Sequence, residues 1–553
     1  MKIVTGFPST SQDDYPLNVT TILRHAVRNF AGQEIVSRTR DGIFRYTYKD
    51  AYERIQRLAN ALESLGIKPG DRVGVLEWNT YRYFESYFGI PGIGAVLLEM
   101  NQRLAPPDLT YVAKHAGMEL LFVDESLIPV AEAIASEFKP DKGYVILSDK
   151  KLSNIKTKLT PIYSYEDLLE EAKPEYDWPM IDEKSAYSAC YTSGTTGKPK
   201  GVFYSHRDAY LMSTAAAIIL EFTCRDCFLQ IVPLFHAAGW CNHIAVILAG
   251  SKLVLPGRYT LEELGSIIDL MVQEKVTASV AASAAWMPIY EYIRNMKEKP
   301  DLSGARFVSG ASEPPIAMLK GFYELTGARV YHGSGATENT AWGTLNKPKP
   351  WLEGKLSEEE KWELQRKQGL ETPGCDVKIV DAKGNELPHD GKSAGELLRR
   401  GPWVIRSYYN APGTEDKFTE DGYWRSGDVA TIDPEGYIKI VDRIKDVIKS
   451  GGEWISSVDM ENEIMCHPGV LEATVVGVPH PKWEERPLPF VVLREEFKGR
   501  VTKKDIIDHL SKRFAKWQLP DEVKFVDEIP KTSVGKFDKK VLREQFKGAH
   551  GRE

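Results

Sequence analysis

The sequence predicts an α/β protein: a large N-terminal part of several subdomains, followed by a small α+β domain. Three observations predict it. At 553 residues the chain is too long for one hydrophobic core, so two or more domains are expected. Helical patterns alternate with short apolar strands up to about residue 340, the rhythm of layered α/β sheets. Past Asp442 the order becomes helix, strand, strand, helix, which places the domains at residues 1–441 and 442–553.

Each element rests on local chemistry. Asn18 to Phe30 carries a helical pattern. Thr47-Tyr-Lys-Asp50 has the form of a capping box, and Ala51, Ile55, Leu58, Ala59, Leu62 and Leu65 follow at helical spacing. Gly66 ends that helix, Lys68-Pro-Gly-Asp71 turns the chain, and Arg72 to Leu76 reads as a strand. Tyr81 to Gly89, Pro106 to Ala116 and Ser126 to Phe138 read as helices. Ala95 to Leu98, Leu120 to Val123, Tyr144 to Leu147 and Ser185 to Tyr191 read as strands. Phe307 to Ser312 and Val330 to Glu338 are strands that run into small-residue turns. Leu352 to Gln368 is charged and helix-like, an exposed excursion. In the last domain Val458 to Cys466 and Lys503 to Phe514 are helices, with Ala473 to Val478 and Pro489 to Leu493 as strands.

Composition narrows the function. Hydrophobic content of 42% and charged content of 27% are those of an ordinary soluble globular protein. A net charge of −7 argues against general nucleic-acid affinity. Six cysteines do not make a disulfide framework, and Cys224-Arg-Asp-Cys227 is one isolated pair without the second pair that zinc needs. The N-terminal residues lack the apolar core of a signal peptide, and no run reaches the ~18 apolar residues of a membrane span. The expected location is cytoplasmic.

The densest chemical signal is Tyr191-Thr-Ser-Gly-Thr-Thr-Gly-Lys-Pro-Lys-Gly-Val202. Thr192, Ser193, Thr195 and Thr196 offer hydroxyls, Gly194 and Gly197 let the backbone approach a ligand, and Lys198 and Lys200 add positive charge. Such a loop surrounds phosphate oxygens, or it is a surface linker. Its spacing is not G-x-x-x-x-G-K-[ST], because Pro199 stands where a hydroxyl should hold magnesium. Other stretches read two ways from residue type alone. His236 ends an apolar run, as a packed histidine or as a catalyst. Trp240 is a core aromatic or a lining residue. Asp428 is a turn aspartate or a ligand for paired hydroxyls. Gly451 and Gly452 suit a hairpin or a segment that changes shape.

On these motifs the chain resembles the AMP-forming acyl-CoA synthetases of the adenylate-forming superfamily, most nearly the medium- and long-chain fatty acyl-CoA synthetases. The resemblance runs from about Asn18 to Phe546, with every signature in family order. It implies a large adenylate-forming domain and a small mobile domain. It also implies ATP, Mg2+ and coenzyme A, and a homodimer. The loop from Thr192 to Lys200 would hold the β- and γ-phosphates. Gly310, Ala311 and Ser312 would edge the adenine, with His332, Gly333 and Ser334 also at the nucleotide. Thr337 would contact the α-phosphate, and Glu338, with Thr192, would bind magnesium. Asp428 and Arg443 would hold the ribose, and Lys445 matches the hinge. Lys449, Gly452 and Trp454 belong to the segment that forms the pantetheine channel. Lys536, in Pro530-Lys-Thr-Ser-Val-Gly-Lys536, matches the catalytic lysine, joined by His236 and Thr337. His236, Trp240 and Gly335 would line the acyl pocket, Trp240 as a gate and Gly335 by leaving the pocket open. One departure stands out: Ser334 replaces the aromatic ring that stacks on adenine.

The implied reaction joins a fatty acid to coenzyme A through an acyl-adenylate, and the small domain rotates between half-reactions. Three other readings stay open: the same chemistry on short or hydroxylated acids, with Asn242 and His243 as polar determinants; acyl transfer to a carrier protein in trans; and a non-catalytic binder of ATP or acyl-CoA.

Overall fold

A computed structural model describes residues 4–12, 14–192, 198–260, 263–450, 453–531 and 537–546. Two large sheets form the N-terminal part. In the seven-stranded sheet the order is Ile162–Ser164, Tyr144–Leu147, Met118–Asp124, Arg72–Leu76, Val96–Glu99, Ala186–Thr192 and Lys200–Ser205. Its strands pair in parallel except the last, which runs antiparallel to Ala186–Thr192. In the nine-stranded sheet the five parallel pairings run from Arg329–Ser334 through Arg306–Gly310, Ala278–Ala282, Cys227–Leu229 and Lys252–Leu255 to Glu34–Thr39. Helices cover both sheets, which is why their strands read as apolar runs rather than alternating ones.

The helix starts follow their caps. Tyr48–Ser64 opens on a complete capping box between Thr47 and Asp50. The strand at Arg72–Leu76 and the helix at Pro106–Ala116 match the sequence reading. Ser126 to Phe138 is corrected to a short 3-10 turn, Glu125–Leu127, and a helix at Ile128–Ala135, where Pro129 suits the first turn.

Leu352 to Gln368 is exposed over its first part, as expected, but not at its end. It forms helices at Pro350–Glu353 and Glu358–Arg366, and its end turns inward. Arg366 is buried and donates through Nε to Glu313, 2.6 Å away. A buried guanidinium needs such a partner, and the partner lies 53 residues earlier in the chain.

A four-stranded antiparallel sheet, Asp376–Val380, Gly395–Arg400, Trp424–Ile432 and Ile438–Arg443, bridges to the small domain. Asp442 belongs to its last strand, so the sheet continues through the expected boundary. Beyond it, a sheet built on Val470–His480 and Glu484–Leu493 packs against the helices Ser457–Met465 and Lys503–Leu510. No helix among the described residues is long and apolar enough to cross a membrane.

Candidate active site

Two adjacent parallel strands, Arg306–Gly310 and Arg329–Ser334, end side by side, and the turns after them make one wall of a cavity of about 270 Å³. Ligands of open α/β sheets bind at such carboxyl ends. Ala311 takes φ +68°, a left-handed conformation that a residue with a Cβ rarely adopts. The turn is pinned by Ser283, whose hydroxyl donates to the Ser312 carbonyl at 2.8 Å and lies 2.8 Å from the Ser309 hydroxyl. Strain held by surrounding bonds is common where backbone is presented to a ligand. Ala311, Ser312, His332, Gly333 and Ser334 line the cavity, and Gly310 stands behind them against the Gly333 carbonyl. His332 is buried and donates from Nδ1 to the Arg366 carbonyl at 2.7 Å. Burial pushes its pKa down to about 4, so the ring is neutral and structural.

Opposite this wall stand Asp428 and Arg443, cross-strand partners with the Arg443 Nε 3.5 Å from the Asp428 carboxylate. Asp428 lies in the strand Trp424–Ile432, not in a turn. Lys445 completes that side. The Ser334 hydroxyl sits 2.8 Å from Thr344 Oγ1 and 3.4 Å from Nη2 of Arg399, which donates to it. Arg399 is buried, lines the same cavity and feels the charge of Asp428. It was not foreseen. Its only trace in the sequence is the pair Arg399-Arg400 inside a glycine-bounded strand.

The strands Ala186–Thr192 and Lys200–Ser205, which flank the expected phosphate loop, pair antiparallel. Ser193, Gly194, Thr195, Thr196 and Gly197 lie outside the described residues. At the mouth, the Lys200 amide donates to Thr192 Oγ1 at 3.4 Å. The Lys200 ammonium stands 4.9 Å over the ring of Tyr408, and Lys198 stands 4.9 Å over Tyr111. Tyr408 in turn donates its hydroxyl to Glu338 at 2.8 Å. Tyr204, on the second hairpin strand, donates to the Thr337 carbonyl at 2.8 Å. The strand Lys200–Ser205 thus fixes the Thr337–Glu338 turn through Tyr204.

The expected acyl residues cluster behind this turn. His236 caps the helix Ala237–Leu248, accepting the Ala238 amide on Nδ1 at 3.1 Å. Trp240 is fully buried between Tyr187 and Tyr204, with ring centroids at 5.6 and 5.3 Å, so here it packs as a core aromatic. Gly335 lines the cavity and has a further reason to be glycine: a Cβ there would fall 1.3 Å from the Ala341 carbonyl oxygen, so the close backbone approach requires it. Asn242 is internally satisfied, donating to the Ala238 carbonyl at 2.8 Å and accepting from Trp342 Nε1 at 3.0 Å. Cys224 is exposed while Cys227 is buried, and no group of three or more His, Cys, Asp or Glu side chains is placed to hold a metal among the described residues.

The small domain closes the cavity. Phe537, Asp538, Lys539 and Lys540 line it alongside Asp428. Lys536 itself lies outside the described residues, as does Gly452. Lys539 is held at 2.7 Å from Glu461 and donates to Ser457 Oγ at 2.6 Å; Ser457 donates to Asp442 at 2.6 Å. These nearby carboxylates keep the buried ammonium charged, raising its pKa against the effect of burial. Lys449 and Trp454 pair across the hairpin Ile448–Ser450/Glu453–Ile455, both exposed, and neither lines the cavity. The structure therefore brings Ala311, Ser312, His332, Gly333, Ser334, Asp428, Arg443 and Lys445 to one cavity, and leaves Lys449 and Trp454, expected at the pantetheine channel, away from it.

Comparison with known proteins shows the family and the fold. Residues 23–409 match the family model for AMP-binding enzymes, and residues 459–536 match that for the AMP-binding enzyme C-terminal domain. The chain is 42% identical over 554 aligned residues to the long-chain-fatty-acid–CoA ligase of Thermus thermophilus, covering 99% of each. It is 37% identical to the 3-methylmercaptopropionyl-CoA ligase of Ruegeria lacuscaerulensis, covering 97% of this chain and 98% of that one. It is 36% identical to the medium-chain-fatty-acid–CoA ligase of Ectopseudomonas oleovorans, covering 96% of each. In fold it matches the crystal structure of an anthranilate CoA ligase in complex with anthranoyl-AMP, with a TM-score of 0.85 at 24% identity over 98% of this chain and 100% of that one.

Proposed function

Because the chain belongs to the AMP-binding enzyme family, we propose that it is an AMP-forming acyl-CoA ligase acting on a fatty acid. One observation carries this: Ala311 and Ser312, Asp428 with Arg443, and the segment immediately after Lys536 share one cavity. In the first half-reaction a carboxylate oxygen attacks the α-phosphorus of ATP and pyrophosphate leaves. Two anions must meet, so the work is positioning and charge neutralisation. The loop from Thr192 to Lys200 holds the terminal phosphates, Asp428 accepts the ribose hydroxyls, and Lys536 bridges the carboxylate and the α-phosphate. Glu338, oriented by Tyr408, and the Thr192 hydroxyl suit Mg2+, a hard cation that takes few protein ligands. When bound, that cation offsets phosphate charge.

In the second half-reaction the coenzyme A sulfur attacks the acyl carbonyl and AMP departs. The small domain turns about Lys445 to bring Lys449, Gly452 and Trp454 to the site. The position of Phe537 to Lys540 at the nucleotide cavity supports the arrangement described here as the adenylating one. Cytoplasmic location and a homodimer are part of this proposal; light scattering of the purified chain tests the dimer.

The test is Lys536→Ala, assayed in separate half-reactions. Acid-dependent ATP–pyrophosphate exchange should fall by at least about a hundredfold, while thioester formation from supplied acyl-AMP persists. Equal loss of both would overturn the role of Lys536.

A further inference from the structure

The seven-stranded sheet has a switch point of its own. From Arg72–Leu76 the chain crosses to Val96–Glu99 on one side, and from the neighbouring strand Met118–Asp124 it crosses to Tyr144–Leu147 on the other. Where two parallel strands send their connections apart, their carboxyl ends leave a crevice, and such crevices bind ligands in open α/β sheets. The nine-stranded sheet divides in the same way between Cys227–Leu229 and Ala278–Ala282, and Ser283, just beyond the latter, lines the candidate active site. The crevice of the seven-stranded sheet is a separate cavity of about 890 Å³ that shares no lining residue with that site. Trp78 and Thr80 line it from beyond Arg72–Leu76, Asp124 and Ser126 from the end of Met118–Asp124, and Arg40 and Arg258 from the other sheet.

Thr80 is the N-cap of the helix Tyr81–Gly92, yet its side chain caps nothing. An N-cap threonine ordinarily accepts an amide of the first turn. Here the residue is 9% exposed, and its hydroxyl has no hydrogen-bond partner among the described residues, although the Glu77 carboxyl stands near it. A hydroxyl so enclosed is ordinarily paired. The helix that Thr80 heads turns its positive end to the crevice.

The charges limit the ligand. The lining carries five cations, Arg38, Arg40, Arg82, Lys150 and Arg258, against six carboxylates. Four of the cations are held: Arg38 by Glu263 at 3.1 Å, Arg40 and Lys150 by Glu125 at 3.1 and 2.6 Å, and Arg82 by Asp149. Arg258 stands 5.5 Å over the Trp78 ring, and no ion pair with a carboxylate holds it among the described residues. With one such guanidinium and one helix end, the crevice suits a single phosphate rather than a triphosphate. A guanidinium lying on an indole offers its outer face to a flat ring. Asp124 gives one oxygen to the hydroxyl and amide of Ser126, at 2.5 and 2.8 Å, and its other oxygen can accept a hydroxyl.

We propose that this crevice is a second ligand site and takes a nucleoside monophosphate. The phosphate lies at the start of the helix Tyr81–Gly92 and accepts from the Thr80 hydroxyl, the base lies on the Arg258–Trp78 stack, and a ribose hydroxyl donates to Asp124. The site does not depend on the ligase reading; under that reading, the AMP released by the reaction is such a ligand.

The experiment is calorimetric titration of AMP, ATP, adenosine and inorganic phosphate into the full-length protein, with the candidate active site filled by a non-hydrolysable acyl-adenylate analogue. AMP should still bind one site per chain, at least about tenfold more tightly than adenosine, phosphate or ATP. Arg258→Ala should weaken AMP at least about tenfold. Thr80→Val keeps the shape of the side chain. It should weaken AMP severalfold and leave the melting temperature of the ligand-free protein unchanged, because the hydroxyl caps nothing. No AMP binding below about 1 mM with the analogue present overturns the site, as does binding that neither variant weakens. Tighter binding of ATP than of AMP overturns the choice of a monophosphate. A lower melting temperature for Thr80→Val with AMP affinity intact makes the hydroxyl structural and removes it from the site. Failure of the analogue to bind, with one AMP bound that both variants weaken, overturns the ligase reading and leaves this site standing.

Discussion

Asp428 is the residue on which the proposed nucleotide binding turns. Its carboxylate faces the cavity with Arg443 3.5 Å away, and one carboxylate can accept both ribose hydroxyls. Hydrogen bonds to a charged group are worth about 1.5–3 kcal/mol. Asp428→Asn should therefore weaken ATP binding about tenfold to a hundredfold, read by calorimetric titration; an unchanged affinity would remove Asp428 from the ribose site. Glu99 makes a pH prediction. Its pKa is raised by burial from the ordinary value to about 8 in the folded chain, so the native state holds a proton that the unfolded state has released. Its contribution is complete below the unfolded value and is lost as pH rises through about 8. Glu99→Gln, which cannot ionise, should thus gain thermal stability relative to wild type on going from about pH 5 to about pH 9. Parallel melting curves for the two proteins across that range would refute the burial of an ionisable group there. Both residues are plain in the sequence; Asp428 was recognised by its motif, whereas Glu99 gave no sign because its burial comes from strands and helices far away in the chain.

Elements show where local rules suffice. The capping box at Thr47 and Asp50 and the strand at Arg72–Leu76 are set by neighbours a few residues apart, so reading them needs no tertiary information. The Gly335 turn differs. Glycine there permits the chain to fold back upon Ala341, and Gly343 in the same excursion lies hard against Arg399. Gly335→Ala should force the backbone of the Thr337–Glu338 turn to move, costing about 1–3 kcal/mol and lowering both melting temperature and adenylation. Denaturant unfolding alongside exchange kinetics checks it. If stability is untouched while only acyl-chain preference changes, the pocket reading of Gly335 stands alone. The inward end of the helix Glu358–Arg366 was missed for a related reason: four charged residues in its first turns suggest exposure, and only the buried carboxylate of Glu313 makes room for Arg366.

At the scale of the whole molecule, the two domains meet through charge. Asp459, at the start of a small-domain helix, receives Lys439 at 2.8 Å and Arg366 at 3.2 Å. Arg494 reaches back to Glu291 at 2.6 Å. These pairs join segments whose relation changes if the small domain turns. The charges in these pairs are largely withdrawn from water, so removing one partner leaves the other poorly compensated and shifts the domain position. Asp459→Asn should slow ATP–pyrophosphate exchange severalfold and spare thioester formation from supplied acyl-AMP. Loss of both steps in proportion to stability would make these contacts structural only.

By itself the sequence determined the α/β class and the family, and it named several of the residues that the fold gathers in one cavity, because those depend on short motifs whose glycines, hydroxyls and charges act through their own backbone. Tertiary structure alone decided which polar groups are enclosed without partners, that Arg399 stands beside Ser334, and that Arg366 links Glu313 to Asp459. Burial and pairing are properties of neighbours in space, and a string of residues does not state them until distant strands have been packed together.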